Sequence, residues 1–106
     1  MSAPDPLLEV LARGPVLPVV TVEAADTAVA LADALAAGGI TTVELTLRTE
    51  AALDAVRAIR AARPELVVGA GSVRTPDQLH ACREAGAASA VAPGATARLL
   101  DAARGH

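Results

Sequence analysis

The chain has 106 residues, of which 53% are hydrophobic and none aromatic, and its formal net charge is −3. This length allows one small domain, and the apolar content argues against intrinsic disorder. The basic residues are all arginine and are scattered along the chain, so the pattern favours neither a nucleic acid nor a membrane surface as partner.

A short helix is predicted over residues 5–13, where Asp5 can cap it, Pro6 suits its first position and Gly14 can end it. Four strand–helix units then begin near residues 16, 40, 66 and 88. The predicted strands are 16–22, 40–47, 66–70 and 88–92, and the predicted helices are 23–37, 49–63, 75–86 and 95–104.

This regular alternation predicts an α/β fold whose parallel strands are joined by helical crossovers. The repeat of about 22 to 26 residues fits two architectures, half of an eight-fold (β/α)8 barrel or a small open sheet of the doubly wound kind. In either case residues 1–106 are expected to form a single domain, which is a partial one if the architecture is the barrel.

The second predicted strand has one polar and one apolar face, because side chains alternate along a strand. Its polar face carries Thr42, Glu44, Thr46 and Arg48, and its apolar face carries Val43, Leu45 and Leu47. A parallel strand covered by helices on both sides should be apolar on both faces, so this pattern favours a barrel whose polar face points into the mouth. The alternative is an edge strand with a solvated polar face.

Glu44 and Arg48 are the candidate functional pair on this strand. A carboxyl group in a barrel mouth is partly desolvated, which raises its pKa and suits it to proton transfer. The guanidinium of an arginine matches a substrate carboxylate or phosphate. Alternatively, Glu44 and Arg48 simply neutralise each other.

Two loops that follow predicted strands supply weaker candidates. Ser72 lies in a glycine-containing loop before a helix start, where backbone N–H groups favour anions. Pro93 lies at the equivalent point after the fourth strand, although turns use such residues for geometry alone. Cys82, the only cysteine, excludes an internal disulfide and is interpreted as a helix-packing residue in a protein of a reducing compartment.

Four motifs together resemble one enzyme family in their order and spacing. They are the segments 14–20 (GPVLPVV), 43–50 (VELTLRTE), 68–73 (VGAGSV) and 92–94 (APG). The chain is similar to the N-terminal half of the class I aldolases that act on 2-keto-3-deoxy-6-phosphogluconate (KDPG) and 4-hydroxy-2-oxoglutarate (KHG). This resemblance implies half of a TIM barrel, a cytoplasmic location, no cofactor, and a family that usually forms homotrimers.

The resemblance also implies roles for individual residues. Glu44 matches the general acid/base, Arg48 the residue that holds the substrate carboxylate, Ser72 a substrate-binding hydroxyl, and Pro93 a position that lines the pocket. The implied substrates are 2-keto acids or phosphorylated sugar acids, and the products are pyruvate with glyceraldehyde 3-phosphate or glyoxylate.

The sequence departs from this family because it contains no lysine, and class I aldolases form a Schiff base through a lysine. The two histidines, His80 and His106, are far apart, so no metal site is predicted. We therefore expect the chain to be inactive alone, and to associate with itself or with a missing C-terminal half through its unpaired strand edges. Two other hypotheses are a non-catalytic anion-binding or assembly module and an unrelated open-sheet protein.

Overall fold

The computed structural model describes Leu8, residues 12–14 and residues 16–104 of the chain. The helix predicted over residues 5–13 falls largely outside the described residues. In chain order the elements are β1 (Val19–Val20), α1 (Ala25–Ala37), β2 (Thr42–Thr46), α2 (Ala52–Ala62), β3 (Val67–Gly71), α3 (Pro76–Ala85) and α4 (Ala97–Arg104).

The three strands form one parallel sheet in the order β1-β2-β3, so β2 is its central strand. Glu44 lies opposite Val19 of β1 and opposite Gly69 of β3. The α/β class and parallel arrangement predicted from the sequence are confirmed. The prediction of an edge position for the second strand, held as an alternative, is wrong because this strand is paired on both sides.

Two predicted strands are shorter than expected. The first extends only over Val19–Val20 rather than 16–22, because Pro18 has no N–H to donate to the neighbouring strand. The Pro18 carbonyl still accepts a hydrogen bond from the Glu44 N–H at 2.8 Å. The fourth, predicted over 88–92, is a single bridge between Ala70 and Ala90. The backbone of this segment forms hydrogen bonds with β3, and Pro93 comes directly after the predicted strand.

The helices begin and end mostly where the sequence indicates. Helix α1 ends at the glycine pair that follows Ala37, and Gly39 has a φ of 87°, a conformation that glycine adopts without strain. Helix α3 is capped by Thr75, whose hydroxyl oxygen accepts from the Gln78 N–H at 3.1 Å. Thr49 is the first residue of the predicted helix 49–63 and is of a type that commonly caps helices. It does not cap α2, since its hydroxyl donates to the Val22 carbonyl at 2.6 Å.

The main core lies between the apolar face of the sheet and helices α1 and α2. Leu45 and Val68 are fully buried there, together with small and β-branched side chains from both helices. The members of this cluster are Val22, Ala28, Ala32, Val43, Leu45, Ala55, Val56, Ile59, Leu66, Val68 and Ala85. Packing on this face leaves the opposite face of β2 to form the cavity described below.

Candidate functional site

A cavity of about 370 Å³ opens at the carboxyl ends of the strands, on the face of the sheet opposite the main core. Its lining combines a carboxyl, a guanidinium and three hydroxyl groups with a few apolar side chains. The lining residues are Val19, Thr21, Glu44, Thr46, Arg48, Ser72, Val91, Ala92 and Pro93. The four residues singled out from the sequence, Glu44, Arg48, Ser72 and Pro93, thus lie around one space.

Glu44 is the most deeply placed ionisable group of the cavity. It lies in the middle of the central strand, and only 8% of its surface is exposed. Burial raises the pKa of its carboxyl above the ordinary value of 4.5, because a desolvated carboxylate is disfavoured relative to the neutral acid. Such a group holds a proton at a higher pH than an exposed glutamate and can release it to a bound partner.

Arg48 and Glu44 do not form the ion pair that would neutralise them. Among residues 16–104 no Glu44–Arg48 contact is short enough to count as a salt bridge, and burial is the cause of the raised Glu44 pKa. Arg48 lies just beyond the end of β2 with its side chain exposed at the rim. Its guanidinium is therefore available to an anion that enters the cavity.

Ser72 follows β3 directly and has a left-handed backbone, with a φ of 57°. A non-glycine residue in this region carries about 1–2 kcal/mol of conformational strain. The strained turn directs Ser72 to the cavity, where its hydroxyl group joins the lining. Pro93 lies across the cavity, is exposed, and follows the segment that bonds to β3.

The segment of the first strand also contributes to this cavity, through a threonine that was not among the predicted site residues. The hydroxyl groups of Thr21 and Thr46 share a hydrogen bond of 2.7 Å that joins the ends of β1 and β2. The Thr49 bond to the Val22 carbonyl reinforces this junction. The signal for Thr21 was present, since a threonine follows an apolar strand just as Thr46 ends the next one.

Cys82 is the only cysteine in the sequence, and the structure places it in the interior. Cys82 is 1% exposed, and burial raises the pKa of its thiol, so the reactive thiolate is suppressed. Its interpretation as a packing residue is confirmed by its place beside Ala70, Val73 and Leu99 in a small second cluster. Within the described part of the chain, no three acidic, histidine or cysteine side chains gather as metal ligands, and no helix has the length and apolarity to cross a membrane.

A parallel α/β sheet with a polar cavity at the carboxyl ends of its strands has the form of a half TIM barrel, the class in which such cavities are functional sites. The KDPG and KHG aldolase family model matches residues 7–106, and the chain belongs to this family.

Known relatives agree in sequence and in structure. The KHG/KDPG aldolase of Escherichia coli K12 is 52% identical over 94 residues, which cover 89% of this chain and 44% of that protein. The Legionella pneumophila KDPG aldolase, solved with pyruvate captured as a covalent carbinolamine intermediate, has a TM-score of 0.87 and 42% identity over 92% of this chain and 47% of that one. The Zymomonas mobilis ZM4 KDPG aldolase, solved with 3-phosphoglycerate, has a TM-score of 0.86 and 39% identity over 93% and 47%.

The chain therefore spans slightly less than half the length of the relatives that it matches. The family predicted from the four sequence motifs, and the restriction of the match to about half of each relative, are both confirmed.

Proposed function

We propose that this chain supplies the acid/base and carboxylate-binding part of a class I aldolase. The reaction is cleavage of KDPG to pyruvate and glyceraldehyde 3-phosphate, of KHG to pyruvate and glyoxylate, or of both. The observation that carries the proposal is the buried carboxyl of Glu44, which faces an open cavity with Arg48 at its rim. The carbinolamine of pyruvate captured in the Legionella relative supports the same chemistry.

Glu44 is proposed to move protons during the reaction. A primary amine that attacks the substrate ketone forms a carbon–nitrogen bond, and the former carbonyl oxygen takes a proton to become a hydroxyl group. A neutral Glu44 carboxyl can donate that proton and later, as the carboxylate, accept one from the hydroxyl group next to the breaking carbon–carbon bond. A pKa raised above that of an exposed glutamate suits both roles.

Arg48, Ser72 and Pro93 are proposed to hold the substrate. The exposed guanidinium of Arg48 would pair with the carboxylate that every 2-keto acid carries. The Ser72 hydroxyl would donate to a substrate oxygen, while Pro93 supplies an apolar wall. None of these residues can form an imine, and the amine is proposed to come from a segment outside residues 1–106, since those residues contain no lysine.

Reconstitution tests the catalytic proposal. The chain is mixed with a polypeptide that carries the remaining strands and a lysine, and pyruvate release from KDPG and KHG is measured. We expect the mixture to exceed either part alone, and Glu44→Gln to reduce its rate by about 100-fold or more, as for loss of a general acid/base. A mixture no faster than its parts, or an unaffected Glu44→Gln variant, would contradict the proposal.

Calorimetry with pyruvate tests the carboxylate-binding role directly. Arg48→Ala should weaken binding by about 10- to 100-fold, the equivalent of a lost charge-assisted hydrogen bond. Arg57→Ala is the matched control, because it removes the same charge from helix α2. Arg57 is not part of the cavity lining, and its guanidinium pairs with the Asp54 carboxylate at a distance of 2.9 Å. Equal affinities for the two variants would exclude a specific role for Arg48.

A second candidate function, an assembly module, is favoured by the edges of the sheet. In the described part of the chain, β1 pairs only with β2, and the segment around Ala90 bonds only to β3. Val19 and Val91 next to these edges are 61% and 47% exposed. Unpaired edges with apolar neighbours favour pairing with further strands, as in a closed barrel.

We propose that a complementary C-terminal half, and not a second copy of this chain, covers both edges. The trimers usual in the family would then form from completed barrels. Light scattering after size-exclusion chromatography should give a one-to-one complex with that half. A chain that ignores the complementary half and forms stable dimers of its own would favour the assembly module over the split enzyme. The cytoplasmic location stays a prediction that rests on the family.

A further inference from the structure

The carboxyl of Glu44 lies against the backbone of a glycine on the neighbouring strand. Gly71 ends β3 and lies opposite Thr46, two residues beyond the partner of Glu44. A Cβ atom built on Gly71 would lie 3.0 Å from the Glu44 carboxyl carbon and 3.3 Å from its Cγ, and would overlap the Oε2 atom. Real side chains do not approach this closely, so either the carboxyl or the strand would have to move.

Space, rather than backbone conformation, is the reason for glycine at this position. The φ of Gly71 is outside the left-handed region, and the residue belongs to a regular parallel ladder with Thr46 as its partner. Alanine could adopt the same backbone without strain. What alanine could not do is leave room for the Glu44 carboxyl.

We propose that Gly71 is a positioning residue for Glu44, whose carboxyl lies deep beside the sheet only because position 71 has no side chain. The inference rests on the proposed function in so far as Glu44 is the acid/base. A methyl group at position 71 pushes the carboxyl outward, since the opposite face of β2 is filled by the core around Leu45. The outward direction leads into the cavity and toward water.

Gly69 provides a matched control on the same strand. A Cβ atom there would meet the Ser89 hydroxyl oxygen at 2.5 Å, and its three nearest atoms all belong to Ser89. Gly69→Ala therefore introduces a comparable crowding at a neighbouring position of β3 without touching the Glu44 carboxyl. Any effect of losing a strand glycine as such should appear in both variants.

The first test follows the Glu44 carboxyl by NMR titration of 13C-labelled protein. Burial raises the Glu44 pKa above 4.5 in the wild-type chain. In Gly71→Ala the pKa should fall back toward that value as the group gains water, whereas in Gly69→Ala it should stay raised. A folded Gly71→Ala protein with the wild-type Glu44 pKa would overturn the proposal.

The second test is a double-mutant cycle measured by urea denaturation. It remains informative if the Gly71→Ala protein itself fails to fold, because the same substitution is also made in a second background. In a Glu44→Ala background the colliding carboxyl is absent, so Gly71→Ala should be tolerated and most of its destabilisation lost. If Gly71→Ala is equally damaging in both backgrounds, Gly71 serves another purpose and the proposal fails.

In the reconstituted aldolase, Gly71→Ala should lower kcat by about 100-fold with little change in KM, as expected for a misplaced catalytic group. The titration does not depend on catalysis. If the Glu44 pKa falls in Gly71→Ala but the wild-type mixture releases no pyruvate, the proposed function is refuted and the positioning role still stands.

Discussion

Truncation of Leu45 tests the division of β2 into a core face and a cavity face. Leu45 is 0% exposed and lies next to Glu44 in the chain, but its side chain points into the cluster formed with α1 and α2. Leu45→Ala removes the side chain beyond Cβ, which is worth about 2.4 kcal/mol at roughly 0.8 kcal/mol per carbon. The cavity left behind adds to this loss.

The cavity term should be large in this protein. The neighbours of Leu45 are mostly alanine and valine, and the chain has no phenylalanine, tyrosine or tryptophan that could turn into the space. Short and β-branched side chains have few alternative rotamers, so the hole stays open. We expect a total loss of about 4 kcal/mol, a large part of the roughly 5–15 kcal/mol that stabilises a typical domain.

Urea denaturation followed by far-UV circular dichroism measures this loss. Leu100→Ala is the control, because Leu100 is 53% exposed and its truncation should lower the free energy of unfolding by less than about 1 kcal/mol. The reasoning is refuted if Leu45→Ala loses under about 1.5 kcal/mol, or if the two variants lose equal amounts. Either result would mean that Leu45 does not lie in a close-packed core.

Three further predictions concern the cavity. Because burial raises the folded-state pKa of Glu44 above 4.5, the wild-type chain should lose stability as pH rises from that value through the raised pKa. Glu44→Gln should not show this loss. Urea midpoints that change with pH in the same way for both proteins would contradict the prediction. Ser72→Gly relieves a φ of 57° and should gain about 0.5 kcal/mol net of the added chain entropy, whereas Ser72→Ala should gain nothing; equal thermal midpoints would argue against strain. A double-mutant cycle of Thr21→Val and Thr46→Val should yield a coupling of about 0.5–1.5 kcal/mol for their 2.7 Å hydrogen bond, and strictly additive losses would show that the bond contributes nothing.

Alternation along the second strand was the most informative pattern in the sequence. It predicts from the sequence alone that Glu44 and Leu45 face opposite ways, and the structure places these side chains on opposite faces of the central strand. The expectation that burial raises the Glu44 pKa is confirmed. This succeeded because a period of two residues is a local property of strand geometry. The alternative prediction of a solvated polar face, which would have favoured an unrelated open-sheet protein, is wrong because Thr42, Glu44 and Thr46 are buried.

Features that depend on distant parts of the chain were not predictable in this way. The fourth strand has the composition of a strand but only one bridge, since strand pairing depends on partners that composition does not reveal. Thr49 matched a helix cap but bonds to Val22 instead, at a separation of 27 residues. The close approach of the Glu44 carboxyl to Gly71 depends on the register between β2 and β3, which no local pattern specifies.

The core and the cavity are mechanically linked through β2. A slip of one residue in the pairing of β2 would turn Leu45 toward the cavity and Glu44 into the core, where a buried, unpaired carboxyl would be strongly destabilising. The aliphatic contacts of Leu45 with α1 and α2 therefore fix the face on which the carboxyl lies, and Gly71 then determines how deep it lies. It follows that changes to the core that preserve volume should leave the Glu44 pKa unchanged, whereas adding one methyl group at position 71 should shift it.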